Sequence, residues 1–337
     1  MITQFSQANK RLRRFLLLMS MSIIILTNSC SQFQEVKTLR VGMNSWPGYA
    51  IALYANDAKL FEKRGIKVEL IHFNNQQDNI RATIRGSQDM SFVPLWEVMQ
   101  VDPSNDKPVI VLVADISAGS DGIVSRLGIE SIKDLKGKKI SVKLGTVPHL
   151  VLLEALKSAQ VNPSDVTIQD VSNERGAELL KSGEIDAAVL WEPSLSKTAK
   201  EIGGKVIFTT KDVDSLVIDS LVTGANTLKS NKRELTQFIL AWFDAIYAVE
   251  TIPDKVFESI AKQTKQPKET VAKDYEGLKK GDIPMNQRMF GVNGRLQEAT
   301  RESAKLLRED LRHGRLIRDD IEINSDVLLA AIKNWQP

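Results

Sequence analysis

Acidic and aromatic side chains gather at a few short stretches of this 337-residue chain. Glu97 follows Trp96, Glu192 follows Trp191, and Asp121 and Asp219 stand in or beside apolar runs. Carboxylates in a partly apolar cleft can take a cationic or zwitterionic partner, or they can cap helices and pair with lysines such as Lys143. Both readings stay open at the level of sequence. Trp46, Tyr49, Trp96 and Trp191 are four of the nine Trp and Tyr residues. Rings with a polar end suit a pocket that is half apolar and half wet. Catalytic patterns are missing. His72, His149 and His313 are far apart and lack the His-x-x-x-His spacing of zinc hydrolases. No G-x-S-x-G elbow, phosphate loop or dinucleotide fingerprint occurs. Cys30 is the only cysteine, which forbids an intrachain disulfide and a cysteine-built metal cage. The expectation is a binding protein with no catalytic residue, metal or cofactor.

The elements that carry these residues alternate between short β-rich runs and helical patterns, which is the signature of βαβ units. Strands are expected over 38–43, 67–73, 90–93 and 108–116, with helices over 49–63 and 77–85. The pattern then recurs, with strands over 139–143, 166–170, 187–190 and 206–209 and helices over 148–159 and 174–181. Residues 85–97 (RGSQDMSFVPLWE) and 181–193 (KSGEIDAAVLWEP) share a glycine stop, an Asp before an apolar strand, and a Trp-Glu pair 95 residues apart. Such glycines favour the left-handed conformation that ends a helix. The chain therefore reads as two similar α/β lobes, followed by helices over about 231–252, 267–279 and 294–312. The mixed-sign face of the last is expected to be solvated.

In open α/β sheets, ligands bind outside the carboxyl ends of the strands. The first rim would be 44–49, 74–78 and 94–97, and the second 145–149, 172–175 and 191–193. Gly145-Thr146 looks like a helix start with free N–H groups, suited to an anionic or polar group, and Pro148 fits the first turn.

The whole chain carries 42% apolar and 26% charged residues, enough for packed cores. Four of the 45 basic residues and none of the 42 acidic ones lie in residues 1–29, so the rest is near neutral. That balance offers no general attraction to nucleic acid. The basic start, the 12-residue apolar run at 15–26 and the following Thr27-Asn28-Ser29-Cys30 describe an export signal. The run is short for a bilayer span, although an uncleaved anchor is the alternative. A cysteine directly after such a segment resembles a bacterial lipoprotein signal, which implies acylation of Cys30, a tether over 30–37 and a membrane-anchored, exported body.

WPGY (46–49), LFEKRGIKVEL (60–70), GIESIKDLKGKKISV (128–142), LGTVPH (144–149) and AAVLWEP (187–193) resemble, in order, the substrate-binding proteins of ABC importers of the nitrate/sulfonate/taurine class. The resemblance implies a two-lobed, type II periplasmic binding protein-like fold with two hinge crossings. Lobe 1 would be 38–118 plus 219–337, and lobe 2 would be 119–218. It also implies a monomer that captures a small nitrogen- or sulfur-containing solute or anion and delivers it to a permease driven by an ATPase. By motif position, the ligand residues would be Trp46, Tyr49, Asn75, Gln76, Leu95, Trp96, Asp121, Thr146, His149, Trp191 and Glu192, to which the rim carboxylates add Glu97 and Asp219. Arginine is scarce in these stretches: only Arg175 falls in one. A sulfonate or nitrate would then rest on helix N-termini and hydroxyls alone, whereas a cationic or zwitterionic ligand would partner the carboxylates. Two rival readings share the fold. One is a ligand sensor for a separate signalling partner. The other is an enzyme resembling thiamine-pyrimidine synthases, which this chain's cysteine-free body argues against.

Overall fold

The computed structural model describes residues 37–103, 106–310 and 317–337, so the apolar run, Cys30 and His313 lie outside the described residues. Strand β1 (Thr38–Met43) leads through helices α1 (Ile51–Asp57) and α2 (Leu60–Lys63) to β2 (Lys67–His72). Helix α3 (Gln76–Ile84) returns the chain to β3 (Met90–Pro94), which runs directly into the short α4 (Leu95–Val98). The long β4 (Pro108–Ser117) then hands over to a second sheet. That sheet is built from β5 (Asp121–Ser125), β6 (Lys139–Val142), α5 (Val147–Ser158), β7 (Thr167–Asp170), α6 (Asn173–Ser182), β8 (Ala187–Trp191), α7 (Ser194–Ile202) and β9 (Lys205–Thr209). Strand β10 (Ile218–Gly224) rejoins the first sheet. Helices α8 (Ala225–Ser230), α9 (Lys232–Thr251), α10 (Pro253–Thr264) and α11 (Lys268–Glu276) follow, then β11 (Leu278–Lys280), α12 (Ile283–Phe290), α13 (Arg295–Glu309), β12 (Glu322–Ile323) and α14 (Asp326–Asn334).

The first sheet has the order β11-β4-β10-β3-β1-β2, with β12 also on β4, and the second has β7-β6-β8-β5-β9. Each begins as a parallel βαβ unit, β2-β1-β3 in one and β7-β6-β8 in the other. Strands β5 and β10, each the first strand after a crossing, run opposite to their sheets' parallel units and pair antiparallel on both sides, β5 with β8 and β9 and β10 with β3 and β4. The fold is thus mixed α/β, two-lobed, and crossed twice, at 118–120 and 210–217.

Strands β3, β4, β5 and β10 are buried along their whole length, and β4 accordingly reads as a nearly continuous apolar run. Edge strand β2 exposes Lys67, Glu69 and His72 instead. The single helix expected over 49–63 is broken in two, because Lys59 takes a left-handed φ of 56° between α1 and α2. Gly86 and Gly183 do close the two matching helices with φ of +75° and +82°. The repeated Asp also has one job in both copies. Asp89 Oδ2 accepts from Arg40 N at 2.8 Å, and Asp186 Oδ2 accepts from Lys139 N at 2.8 Å, each holding the start of the neighbouring parallel strand. That shared role accounts for the sequence match.

The C-terminal helices close the core of the first sheet. Phe238, Ile239 and Trp242 of α9 are buried with Phe61 and Phe92, and Phe61 stacks on Phe238 with centroids 4.9 Å apart. Helix α13 packs Leu296, Ala299 and Leu307 into the same core as Leu150 and Val151 of α5, so its apolar side lies on the second lobe. Only its outer face carries the charges: Arg295 pairs with Glu302 at 2.8 Å and Glu298 at 3.2 Å.

Candidate ligand site

A cavity of ≈ 270 Å³ lies where the carboxyl ends of both sheets' parallel strands meet. The first sheet supplies Asn44, Trp46 and Tyr49 after β1, Asn74, Asn75 and Gln76 after β2, and Pro94 and Glu97 at the end of β3. The second supplies Lys143, Thr146, Val147 and Pro148 after β6, Ser172, Asn173 and Glu174 after β7, and Trp191 at the end of β8. Asp121 at the start of β5, with Val217 and Asp219 at the return crossing, completes the lining. A site drawn from both lobes at strand ends is where this class of sheet places ligands.

Local sequence explains how the first loop is held. Trp46 N bonds Asn44 Oδ1 at 3.0 Å and Tyr49 N bonds Trp46 O at 3.1 Å, closing a turn over Pro47 and Gly48. Trp46 Nε1 donates to Asp115 Oδ1 at 3.0 Å, and a Cβ on Gly48 would overlap the Asp115 carboxylate. The turn is therefore built around that acid. Tyr49 lies on Phe92 with centroids 5.3 Å apart, and Phe92 lies against Trp242, so the ring has a rigid floor. Its hydroxyl donates to Asp219.

The cavity is acidic and buried. Glu97, Asp115, Asp121 and Asp219 are all at most 3% exposed. Asp115 and Asp219 are direct cross-strand partners, so the charge of Asp115 opposes ionisation of Asp219. Burial pushes Glu97 up to about 8, against the opposing bond from Val147 N. Burial also raises Asp115 and Asp121, each to about 7, and holds Asp219 well above the usual carboxylate range, helped by the charge of Asp115. The Tyr49 hydroxyl is raised by burial and by Asp219. Lys143, the one lysine in the lining, is half-exposed and pairs with Asp170 at 3.0 Å rather than with these acids. Among the described residues no three His, Cys, Asp or Glu side chains converge to hold a metal ion.

Nine of the thirteen ligand residues expected from sequence line this cavity: Trp46, Tyr49, Asn75, Gln76, Glu97, Asp121, Thr146, Trp191 and Asp219. Four do not. Leu95 and Trp96 are core residues, 3% and 1% exposed, and Trp96 meets His149 edge-on. His149 is buried: Nδ1 accepts from Gly145 N at 3.3 Å, and Nε2 lies 3.1 Å from Asp310 Oδ2 beyond the end of α13. Glu192 turns away to cap α7, its Oε2 accepting from Ser196 N at 3.1 Å and Ser196 Oγ at 2.8 Å. The two Trp-Glu pairs therefore have exchanged roles. Trp191 ends a strand and faces the cavity, whereas Trp96 is already the second residue of α4, which turns it into the core and brings Glu97 inward. Arg175 pairs with Glu178 at 3.0 Å, outside the lining. In the Gly145-Thr146 loop, Gly145 N donates to His149 Nδ1 at 3.3 Å and Thr146 Oγ1 to Lys143 O at 2.7 Å, and the next residue's N, Val147 N, donates to Glu97 Oε1 at 3.2 Å. Asp115 was missed, and its signal was a lone carboxylate inside the apolar strand β4.

Known proteins resemble this chain along most of its length. A Brucella abortus protein provisionally named a binding protein is 26% identical over 292 residues, 84% of this chain and 89% of the relative. A Brachyspira hyodysenteriae protein provisionally named an ABC transporter periplasmic binding protein is 25% identical over 244 residues, 67% and 69% of the two chains. Among solved structures, the periplasmic aliphatic sulphonate binding protein SsuA from Escherichia coli superposes with a TM-score of 0.71 at 18% identity, covering 83% of this chain and 95% of SsuA. The desulfurization enzyme DszB has the same fold, with a TM-score of 0.61 at 15% identity over 88% and 99%. The family described as NMT1/THI5 like matches residues 46–255, more than half of the chain and every cavity-lining residue but Asn44, and it is to this NMT1/THI5-like family that the protein belongs.

Proposed function

We propose that this chain is the solute-binding receptor of an ABC importer. It captures a small molecule between its two lobes and delivers it to a membrane permease driven by an ATPase. The observation that carries the reading is the cavity itself, a molecule-sized space to which both lobes contribute through their strand ends. A ligand touching both sides stabilises their apposition, and the crossings at 118–120 and 210–217 are the segments about which closure occurs. The name of the Brachyspira relative supports the transport role. His149, the imidazole expected at the site, lies outside the cavity lining beside Gly145 and Asp310, which removes it as a catalytic base there. Export and a tether through an acylated Cys30 belong to the same proposal and rest on the N-terminal sequence.

Thermal melts against a panel of sulfonates, nitrate, amines, amidines, amino acids and pyrimidines test it. A ligand at 100 times its Kd adds about 2.7 kcal/mol to stability. A hit is expected, and Trp46→Ala together with Trp191→Ala should abolish it. No shift with any class would overturn the receptor reading.

A further inference from the structure

We propose that the solute is a small organic cation, an ammonium or amidinium group on an apolar body. Its positive end sits among Glu97, Asp121 and Asp219, and its body lies against Trp46 and Trp191. The inference rests on the receptor reading and names the class of ligand for the same cavity.

The carboxylates provide the first argument. Glu97 Oε2, Asp121 Oδ2 and Asp219 Oδ2 are buried and have no hydrogen-bond partner, although each residue's other oxygen or the surrounding strand is well held. A buried acceptor without a donor is costly, and a buried charge without a countercharge more so. All three residues face the cavity, so a ligand with several N–H donors and a positive charge fits what the protein leaves unmet. A neutral donor would satisfy the hydrogen bonds but leave the like charges facing one another.

Anions are disfavoured on separate grounds. One helix start in the lining, Val147 N of α5, already receives the protein's own Glu97 carboxylate. Lys143 is neutralised by Asp170. A sulfonate would therefore enter a space ringed by acids with no free cation in the lining to meet it. A bare metal ion is disfavoured because no three ligating side chains converge among the described residues. The indole faces suit an organic cation instead, since the ring quadrupole attracts positive charge. A volume of ≈ 270 Å³ sets the size, at the small end of ligand pockets.

Isothermal titration of the full chain with benzamidinium and its neutral, near-isosteric analogue benzamide, alongside n-butylammonium and butanesulfonate, separates these cases. The cations should bind at least tenfold tighter than benzamide or butanesulfonate. Because the cation displaces a proton from the carboxyl cluster, its affinity should rise about tenfold from pH 6 to pH 7, and the measured heat should change with the buffer's ionisation enthalpy. Asp121→Asn should weaken benzamidinium by at least tenfold without lowering the melting temperature of the unliganded protein. Asp219→Asn is the second variant should the first fail to fold. Equal affinity for benzamide, or tighter binding of butanesulfonate or nitrate, would overturn the cation and leave the receptor standing. A shift with Zn²⁺ or Ca²⁺ but with no organic cation would do the same. Silence across every class would overturn both.

Discussion

Replacing Glu97 by Gln should make the unliganded protein more stable at pH 8 and nearly unchanged at pH 5. Gln keeps an oxygen to accept from Val147 N, now at 3.2 Å, and removes only the proton equilibrium. In the folded chain burial pushes Glu97 up to about 8, against 4.5 when it is free in water. Between those limits the native state holds one proton more than the unfolded state. Stability therefore falls as pH rises through this window and levels off above it. The slope is about 1.4 kcal/mol per pH unit for one such carboxyl. From pH 5 to pH 8 that amounts to about 4 kcal/mol, an upper figure because Asp121 titrates beside it in the same range. At about 2 °C per kcal/mol the melting temperature of the wild type should drop by about 8 °C from this residue. Asp115 and Asp121, each raised to about 7, add to the fall in the same direction. Melting curves of wild type and Glu97→Gln at half-unit pH steps measure both slopes. A wild-type curve that is flat or rising over this interval, or a variant with the wild-type slope, would refute the reasoning.

Other expectations follow from the positions of single side chains. Glu192→Gln keeps the acceptor that caps α7 and lies outside the cavity, so binding of any hit should change less than twofold; a tenfold loss in titration would return Glu192 to the site. Phe92→Ala removes the floor beneath Tyr49 and opens a fully buried space, which should cost about 3–5 kcal/mol in urea unfolding. A loss below about 1 kcal/mol would show that the ring is not held as described. Gly48→Ala drives a methyl into the Asp115 carboxylate and should lower the melting temperature by several degrees. Adding Asp115→Ala should recover part of that loss, and strictly additive effects would argue against the contact.

Much of the architecture is legible from local pattern. Glycines at 86 and 183 sit where a left-handed residue must end a helix, and Asp89 and Asp186 repeat because each pins the start of a neighbouring strand. Those signals are short-range, so a reading of residues in order finds them. Lys59 shows the limit of such a reading: nothing in its residue type announces the left-handed turn that splits α1 from α2. The strand-end loops were likewise within reach, because turn residues mark where each strand stops.

Which side chains of those loops face inward was decided elsewhere. Trp96-Glu97 and Trp191-Glu192 are the same dipeptide after the same kind of strand, yet one presents its acid and the other its indole. The difference is that α4 begins before Trp96, whereas α7 begins only after Pro193. Asp115 joins the site only because β4 pairs with β10, a strand reached after the whole second lobe has been built. The sequence by itself determined the alternation of elements, the duplicated unit and the rims at which a ligand would be met. Only the tertiary structure decided that acids converge there without a basic partner, because that convergence depends on strand pairing between residues far apart in the chain, which local residue order does not encode.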